Sequence, residues 1–347
     1  MVSIRNRTIG QGQRCFIIAE AGVNHNGDMG LAKKLIGAAH AAGADAIKFQ
    51  TFVTENLVTE SAEKAFYQIE NDPDTSSQFE MLRKLELSEQ DFLELSGYAE
   101  KKGILFLSTA FDNTSIDILS RIGVPAFKIP SGEITNIPYL KEIGLRHKPV
   151  IMSTGMSTIG EIGEALSCLR DNGCDDIILL HCTTSYPAPL SSVNLRAIAT
   201  LREQFGIPVG YSDHTEGIII PIAAAAMGAC VIEKHLTLDR NLPGTDHMAS
   251  LEPGDFTRMV SAVREVELAL GTGDKQPQEC ELDNRRIARK SIVAALNIPA
   301  GSQLTRVMLA IKRPGTGIEP KHLESVIGKK TQSTIKKDSV ILWEMIE

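Results

Sequence analysis

The sequence predicts a (β/α)8 barrel, the TIM barrel, followed by a small β-rich domain. Its 347 residues accommodate one barrel of roughly 250 residues and a small appendage. Short apolar runs rich in β-formers recur eight times and alternate with amphipathic helical patterns. Such alternation implies a parallel sheet whose right-handed crossovers place the helices outside. Eight units of this kind match a closed barrel more simply than an open sheet.

The predicted strands and helices alternate in order along the chain. The strands are residues 15–20, 46–52, 104–109, 126–129, 150–154, 177–182, 209–212 and 231–235. The helical patterns, with apolar residues three and four apart, include residues 30–42, 91–102, 115–123, 159–172 and 218–227. No GxGxxG motif follows the first strand, which argues against a dinucleotide-binding sheet.

One interval between strands is too long for a simple connection. Residues 53–90 are polar and charged and separate the second strand from the third. In a barrel this segment would overhang the catalytic face. A lid or substrate-selecting role and a mere surface elaboration are both open.

The domain boundaries follow from composition. A helical pattern at 255–270 completes the barrel, which we assign to residues 1–272. Residues 273–288 have the composition of a linker. Residues 289–347 form the β-rich module, with strands predicted at 291–295, 309–312 and 340–343. A module of that size is marginally stable alone, so we expect it to dock on a partner surface.

Composition and charge exclude several classes of protein. With 43% hydrophobic and 23% charged residues, the chain is of the ordinary globular kind rather than disordered. The longest uncharged stretch, 217–232, is interrupted by Pro221, which argues against a membrane span. The amino terminus lacks the apolar region of a secretory signal. Six cysteines without a CxxC pair indicate reduced, buried thiols and a cytoplasmic location.

The charge is unevenly distributed. The net charge of the chain is -7. Residues 285–347 hold 12 Lys and Arg and 5 Asp and Glu, whereas the remaining residues hold 24 Lys and Arg and 38 Asp and Glu. A segment of +7 and a body of -14 should attract each other. Only 17 aromatic residues occur, and they are not interleaved with basic residues, so we expect no nucleic-acid binding.

Polar residues at the carboxyl ends of the predicted strands are the main functional signal. Because these ends meet at one face of a barrel, we expect their side chains to converge on one pocket. Period-two alternation places Lys48 and Gln50 on the same strand face, and likewise Glu233 and His235. The full set is Glu20, Lys48, Gln50, Ser108, Thr109, Lys128, Ser131, Glu133, Ser153, His181, Ser212, His214, Glu233 and His235.

Two histidines predict a metal site. His214 and His235 follow the seventh and eighth strands, which lie about 4.8 Å apart as neighbours, so two imidazoles could share one ion. The alternative is that each histidine is a hydrogen-bonded structural group, since spacing fixes no third ligand. Two nitrogens with open positions suit Mn2+, which we favour, or Mg2+ or Co2+, better than a closed zinc site.

An anion site is predicted beside them. The segment 128–133 is a strand followed by a glycine-containing turn, whose N–H groups could hold phosphate together with Lys48, Lys128 and Ser153. A tight turn alone is the alternative reading of this segment. No GxSxG elbow accompanies the serines, so we discount acyl-enzyme chemistry.

Several segments together resemble one family, the bacterial sialic acid synthases. They are 17–27 (IIAEAGVNHNG), 46–51 (AIKFQT), 127–133 (FKIPSGE), 153–156 (STGM), 181–187 (HCTTSYP), 210–215 (GYSDHT), 232–235 (IEKH) and 243–247 (PGTDH). The tail, with 290–294 (KSIVA) and 311–315 (IKRPG), is similar to their antifreeze-like (SAF) domain. The resemblance spans nearly the whole chain. It implies condensation of phosphoenolpyruvate with an open-chain N-acetylated mannose-type sugar, giving a nine-carbon 2-keto acid and phosphate.

The same resemblance implies roles for individual residues. The expected catalytic residues are Glu20, Glu133, His214 and His235, where the two histidines hold the ion and Glu133 positions water. Phosphoenolpyruvate would bind Lys48, Lys128, Ser131, Ser153, Thr184 and Ser212. Glu20, Tyr186 and Asp246 would bind the sugar. Arg313 would come from the tail of a second subunit, which implies a domain-swapped homodimer.

The identity of the sugar stays open between two substrates. Thr183, Thr184 and Arg289 stand where some sialate synthases carry asparagine or an aromatic residue. From the sequence we favour N-acetylmannosamine, and hence N-acetylneuraminate, over the legionaminate precursor 2,4-diacetamido-2,4,6-trideoxymannose. More remote alternatives are a metal-dependent sugar aldolase or isomerase, and a non-enzymatic carbohydrate- or ice-binding module.

Overall fold

The computed structural model describes residues 1–72 and 74–347, with Glu70 described by its backbone alone. The chain divides into two compact units, Met1–Gly271 and Thr272–Glu347. The division falls next to the predicted barrel limit at residue 272. No helix of the described residues is long and apolar enough to cross a bilayer.

The first unit is a closed barrel of eight parallel strands, which confirms the predicted fold. The strands pair in chain order, and the last closes on the first. They are β3 (Phe16–Gly22), β4 (Ala46–Thr51), β5 (Leu105–Ala110), β6 (Phe127–Ile129), β7 (Val150–Ser153), β8 (Ile177–Cys182), β9 (Val209–Asp213) and β10 (Val231–His235). Closure places all eight carboxyl ends around one mouth.

Helices surround the barrel because each strand presents a second apolar face outward. Ile17, Ile47 and Phe49 on the strands share one buried cluster with Leu35 and Leu95 on the helices. The barrel helices are α1 (Met29–Ala41), α5 (Glu89–Lys102), α6 (Asn113–Ile122), α7 (Ile137–Gly144), α8 (Ile159–Asp171), α9 (Ala197–Phe205), α10 (Ile219–Ala226) and α11 (Pro253–Leu270).

Local capping explains where several of these helices begin. The side chains of Asp28, Ser88, Asp112 and Thr158 each accept a hydrogen bond from a backbone N–H of the first turn. These groups have no partner inside the helix, so the caps stabilise the start of each helix.

A short hairpin that the sequence analysis did not predict precedes the barrel. Strands β1 (Val2–Ile4) and β2 (Arg7–Ile9) pair antiparallel. Val2, Ile4 and Ile9 are buried with inward-facing strand residues such as Phe16 and Ile178. The hairpin therefore adds apolar surface to the inner core of the barrel. Its strands have only three residues each, too few to show a period.

The excursion 53–90 carries three short helices, α2 (Thr54–Leu57), α3 (Phe66–Asn71) and α4 (Gln78–Leu85). Met81 and Leu82 of α4 are buried together with Val23 and Phe52, which follow the first two barrel strands. The excursion is thus packed on the carboxyl-terminal side of the barrel.

The second unit is small and β-rich, with two corrections to the prediction. Strands β11 (Ser291–Ala294) and β12 (Leu309–Lys312) pair antiparallel. The predicted linker contains a helix, α12 (Leu282–Ala288), whose residues are all exposed. The predicted strand at 340–343 is wrong: Val340 forms a single bridge with Val293, and a 3-10 turn, Trp343–Met345, follows. A last short helix, α13 (Leu323–Val326), packs into the unit's core.

The cysteines follow the expectation in five of six cases. Cys15, Cys168, Cys174, Cys182 and Cys230 are buried free thiols, whereas Cys280 is exposed. Cys280 lies in the predicted linker, where little chain packs over it.

Candidate functional site

A cavity of about 390 Å³ opens at the carboxyl ends of the barrel strands. Twelve of the thirteen predicted site residues line it: Glu20, Lys48, Lys128, Ser131, Glu133, Ser153, Thr184, Tyr186, Ser212, His214, His235 and Asp246. The thirteenth, Arg313, lies in the second unit, where it is exposed and its Nε donates to the carbonyl oxygen of Ala288 at 3.0 Å.

The floor of the cavity carries a buried lysine between two carboxylates. Lys48 Nζ lies 2.7 Å from Glu20 Oε2 and 3.8 Å from Glu233 Oε2, and it donates to Thr109 Oγ1 at 3.0 Å. Burial disfavours the ammonium, but the carboxylates of Glu20 and Glu233 outweigh it and raise the pKa of Lys48. The floor therefore holds a permanent positive charge.

A second buried lysine stands on the other side of Glu233. Lys128 Nζ donates to Ser153 Oγ at 2.7 Å and lies 3.9 Å from Glu233 Oε1. Burial, reinforced by the nearby Lys48 ammonium, lowers the pKa of Lys128 even though Glu233 opposes the shift. An anion between the two lysines would offset this cost, so the pair favours a negatively charged ligand.

The two carboxylates of the floor differ in acidity. Burial and the neighbouring Glu233 raise the pKa of Glu20 to about 7. Burial also opposes the charge of Glu233, but Lys128, Lys48 and the hydroxyl of Ser212, which donates at 2.9 Å, together lower its pKa. Glu233 is thus the fixed counter-charge of the floor, and Glu20 is the group that can carry a proton near neutral pH.

Three loops form a close-packed cradle beside Lys128. The backbone N–H of Gly155 donates to Ser131 Oγ at 2.9 Å. A Cβ at Gly155 would lie 2.3 Å from Thr184 Oγ1 and 2.9 Å from Ser131 Oγ. Only glycine lets the two hydroxyls approach this closely. Nearby, Asn136 Nδ2 donates to Glu133 Oε2 at 2.6 Å and holds that carboxylate in place.

The two predicted metal ligands face each other across β9 and β10. The ring centroids of His214 and His235 are 5.6 Å apart. Nδ1 of His214 donates to the carbonyl oxygen of Thr183 at 2.8 Å, which leaves Nε2 as the nitrogen without a proton in the neutral ring. His235 is buried, and burial together with His214 and Lys48 lowers its pKa well below the usual value. Burial disfavours the imidazolium of His214, but Cys182 and the carbonyl of Thr183 outweigh it and raise its pKa. His235 therefore supplies a neutral nitrogen, whereas an ion would displace the proton from Nε2 of His214.

These residues fit a divalent ion. Nδ1 of His235 is buried without a hydrogen-bond partner among the described residues, and Asp246 Oδ2 lies 3.9 Å away. A buried nitrogen of this kind is costly unless a ligand satisfies it. No group of three or more His, Cys, Asp and Glu side chains within residues 1–72 and 74–347 has the arrangement of metal ligands, so the remaining ligands of an ion here would come from substrate or water.

Polar and aromatic groups next to the imidazoles suit sugar hydroxyls. Gln50 Nε2 donates to Glu20 Oε1 at 3.3 Å. Gly22, with a φ of +53°, passes so close that a Cβ would lie 3.3 to 3.5 Å from Gln50, Glu20 and Asp246. The ring of Tyr186 lies 4.1 Å from that of His214 and 5.0 Å from that of Tyr67. Aromatic faces beside clustered carboxylates are a common setting for a polar ligand with an apolar side.

Two strand-end residues that we expected in the pocket do not line it in the part of the chain that the structure describes. Ser108 Oγ pairs with Thr51 Oγ1 at 2.7 Å, and His181 Nε2 contacts the carbonyl oxygen of Val193 at 2.7 Å. Their neighbours Thr109 and Cys182 line the cavity instead. The error arises from the two-residue period, which puts adjacent residues on opposite faces.

The sequence analysis also missed contributors. Gln50, Thr109 and Glu233 appeared among the strand ends, but we gave them no role. Gly155 was quoted only as part of a motif. Tyr67 carried no signal, because it lies in the excursion 53–90, for which no periodic pattern predicted an orientation.

Comparisons with known proteins agree with the geometry. The NeuB family matches residues 35–275, and the SAF domain matches residues 289–347. The chain is 49% identical to N,N'-diacetyllegionaminic acid synthase of Campylobacter jejuni subsp. jejuni, over 95% of this chain and 99% of that protein. It is 48% identical to the enzyme of the same name from Legionella pneumophila subsp. pneumophila, over 97% and 96% of the two chains.

A solved structure extends the similarity to three dimensions. N-acetylneuraminic acid (sialic acid) synthetase from Leptospira borgpetersenii superposes with a TM-score of 0.73 at 37% identity, covering 82% of this chain and 94% of that chain. The matched families, the relatives and the site geometry lead to one assignment. The chain belongs to the NeuB family of sialic acid and legionaminic acid synthases, and it ends in a SAF domain.

Proposed function

We propose that the protein condenses phosphoenolpyruvate with 2,4-diacetamido-2,4,6-trideoxymannose to form N,N'-diacetyllegionaminic acid and phosphate. The two legionaminic acid synthases are 48% and 49% identical to the chain, against 37% for the sialic acid synthetase. This difference favours the second of the two sugars considered from the sequence. N-acetylmannosamine, which the sequence analysis placed first, has less support.

One observation carries the proposed reaction: two buried ammonium groups and two imidazoles line a single cavity. Lys48 and Lys128 would neutralise the phosphate and carboxylate of phosphoenolpyruvate. The hydroxyls that would orient it are those of Ser131, Ser153, Thr184 and Ser212. An aldolase or isomerase that does not use phosphoenolpyruvate gives no reason for burying both lysines.

The imidazoles would act on the acceptor. His214 and His235 would hold a divalent ion, for which we favour Mn2+ over Mg2+ or Co2+, and that ion supplies Lewis acidity at the aldehyde oxygen. Glu20 and Asp246 would bind hydroxyls of the open-chain sugar, and Tyr186 would pack on its 2-acetamido group. These contacts would hold the aldehyde carbon next to C3 of phosphoenolpyruvate.

The bonds that form and break then follow. The C3–aldehyde bond forms with the electron pair of the enol double bond, which leaves a cationic C2 stabilised by its oxygen. Water held by Glu133 adds at C2. One of its protons passes through that carboxylate to the former aldehyde oxygen, which becomes a hydroxyl, and the other passes to the phosphate-bearing oxygen as it leaves. The bond between C2 and the phosphate-bearing oxygen breaks, which yields the keto group and inorganic phosphate.

Phosphate release tests the proposal directly. Purified protein with Mn2+ and phosphoenolpyruvate should release phosphate only when a sugar is added, and faster with the diacetamido sugar than with N-acetylmannosamine. Release without any sugar, or no release with either sugar, would overturn the proposed reaction. A higher kcat/KM with N-acetylmannosamine would restore the sialic acid assignment.

Chelation and a matched variant test the role of the imidazoles. EDTA should abolish release and added Mn2+ should restore it, whereas His214→Ala should lose both turnover and tight Mn2+ binding by titration calorimetry. The barrel should keep its fold, because a ligand at a strand end contributes little packing. Full activity in EDTA would contradict the assigned role of His214 and His235.

A further inference from the structure

The cavity has two chemically different ends. Glu20, Lys48, Lys128, Glu233 and the two imidazoles form its polar floor. On the side of the excursion 53–90, an apolar wall lines the same cavity. The apolar wall has eight members. Four are buried, namely Val23, Phe52, Met81 and Leu82, and four half-buried residues pack against them, namely Leu57, Val58, Leu85 and Phe111.

The strands themselves lead from the floor to the wall. Lys48, Gln50 and Phe52 follow one another at the two-residue period of β4 and its extension. Thr109 within β5 and Phe111 just after it are likewise two residues apart. The rings of Phe52 and Phe111 meet edge to face with centroids 6.4 Å apart. Two residues of strand advance about 6.6 Å. Phe111 thus lies one such step beyond Thr109, which accepts a hydrogen bond from Lys48 Nζ, whereas Phe52 lies one step beyond Gln50 and two beyond Lys48.

Hydrogen bonds hold the wall in place. The backbone N–H and the hydroxyl of Thr54 donate to Glu86 Oε2 at 3.0 and 2.6 Å, which ties the start of α2 to the end of α4. Asn71 Nδ2 donates to the carbonyl oxygen of Thr245, next to Asp246, at 2.9 Å. The excursion is thus anchored to the loop that carries a predicted sugar ligand, and its apolar surface is preformed.

The length of the sugar is close to the single strand step from Thr109 to Phe111. In an open-chain six-carbon sugar, five C–C bonds of roughly 1.5 Å each place C6 about 6 Å from C1. In the proposed function, on which this step rests, C1 lies at the imidazoles, so C6 would point into the part of the same cavity that the apolar wall lines. A methyl group there gains apolar burial, whereas a hydroxymethyl group loses hydrogen bonds to water.

We propose that the apolar wall is the subsite for the C6 methyl group, and that the excursion 53–90 makes the enzyme select 6-deoxy acceptor sugars. The wall recognises the deoxygenated end of the chain and acts independently of the substituent at C4. One methylene or hydroxyl in an apolar pocket changes kcat/KM by roughly 10- to 200-fold, which sets the size of the expected preference.

Two sugars that differ only at C6 isolate this subsite. The test compares N-acetylmannosamine with its 6-deoxy analogue, 2-acetamido-2,6-dideoxymannose. For each sugar, kcat/KM would be measured from phosphate release. The wild-type protein should prefer the deoxy sugar by at least about tenfold. Equal kcat/KM for the two sugars would overturn the inference but leave the proposed condensation intact. If phosphate were released with none of the three sugars, the diacetamido sugar included, the proposed function itself would be refuted.

Variants locate the preference in the wall. Leu57→Gln and the nearly isosteric Val58→Thr introduce polar groups at half-buried positions that line the cavity. Both should reduce the preference for the deoxy sugar several-fold, mainly by lowering kcat/KM for that sugar. The control Leu93→Gln lies on α5 with 51% of its surface exposed, away from the cavity lining, and should keep the wild-type ratio. An unchanged ratio in folded Leu57→Gln and Val58→Thr would overturn the inference.

Discussion

Two buried histidines outside the catalytic floor make the stability of the protein depend on pH. His25 Nδ1 accepts the backbone N–H of Gly27 at 3.0 Å, and its Nε2 is buried without a partner among the described residues. Burial, followed by the nearby His247, lowers the pKa of His25 to about 4. Burial also lowers the pKa of His247 to about 4. Both rings are thus held neutral in the folded state.

The sign of the effect follows from comparing folded and unfolded chains. An unfolded histidine takes up a proton below pH 6.5, whereas these two remain neutral in the folded protein until about pH 4. Stability is therefore full above pH 6.5 and falls as the pH drops towards 4, by up to about 3 kcal/mol for each histidine. Urea unfolding at a series of pH values should show this loss.

Variants separate the histidines from the carboxylates, which also titrate. His25→Gln should remove about half of the histidine-linked fall in unfolding free energy between pH 6.5 and 4, because His247 remains, whereas His40→Gln, at an exposed position on α1, should leave the fall unchanged. If His25→Gln retained the wild-type pH dependence, the buried ring would not be its source.

At the same scale, the sequence predicted most of the cavity because strand ends and the two-residue period are visible in it. The strand ends alone place Lys48, His214 and Glu233 at one mouth. The period alone does not say which of two adjacent polar residues faces inward, and Ser108 was misplaced for that reason. Gly155 is required because a Cβ at this position would lie 2.3 Å from Thr184 Oγ1. Such a contact between segments distant in sequence leaves no local sequence signal.

At the scale of elements, a buried ion pair joins the two strands that lead to His214 and His235. Lys234 Nζ on β10 lies 2.6 Å from Asp213 Oδ2 on β9, and both side chains are fully buried. Asp213 Oδ1 also accepts from Tyr211 Oη and the Thr215 backbone N–H, each at 3.0 Å. These residues alternate with Ser212, Glu233 and the histidines, so the pair fixes the two strands from the face opposite the cavity.

Removing the ammonium should therefore destabilise the barrel. Lys234→Met leaves the Asp213 carboxylate buried without a counter-charge, which should lower the unfolding free energy by roughly 3 to 5 kcal/mol. Adding Asp213→Asn, which keeps an acceptor for Tyr211 and Thr215 but removes the charge, should recover much of the loss. Urea unfolding of both single variants and the double variant measures the coupling, and purely additive losses would contradict this role of the pair.

Helices and strands with a strong period of apolar residues were predictable from the sequence. Elements that form because of tertiary packing were not. The strands Ile177–Cys182 and Val231–His235 were placed to the residue, because a continuous apolar run ends there at polar residues. The hairpin β1–β2 and the helices α2 to α4 are short, and their burial comes from Phe16, Val23 and Phe52 of the barrel. A partner surface that is distant in sequence decides such elements, so local patterns do not reveal them.

At the scale of the whole molecule, charge is unevenly distributed along the chain. Residues 285–347 hold a net +7 and the rest a net -14, so we expect electrostatic attraction between this basic segment and an acidic barrel, of its own chain or of a second copy. Length and the repeated strand–helix pattern were sufficient to predict one barrel and one appendage. The same information cannot tell whether the tail serves its own barrel or that of a partner, because both arrangements have the same composition.

Mixing inactive variants decides between these arrangements. From the resemblance we propose that Arg313 completes the site of a second subunit. Arg313→Ala should then lower kcat/KM for the sugar about 10- to 100-fold, because a charge-assisted hydrogen bond is lost. The temperature of thermal unfolding should not change. Co-expressed His214→Ala and Arg313→Ala subunits should regain about a quarter of wild-type phosphate release, because half of randomly formed dimers are mixed and each has one intact site. If Arg313 acts within its own chain, no mixed dimer has an intact site. The activity of the co-expressed variants would then be no greater than the sum of the activities of the two separate variants, and that result would refute exchange between subunits.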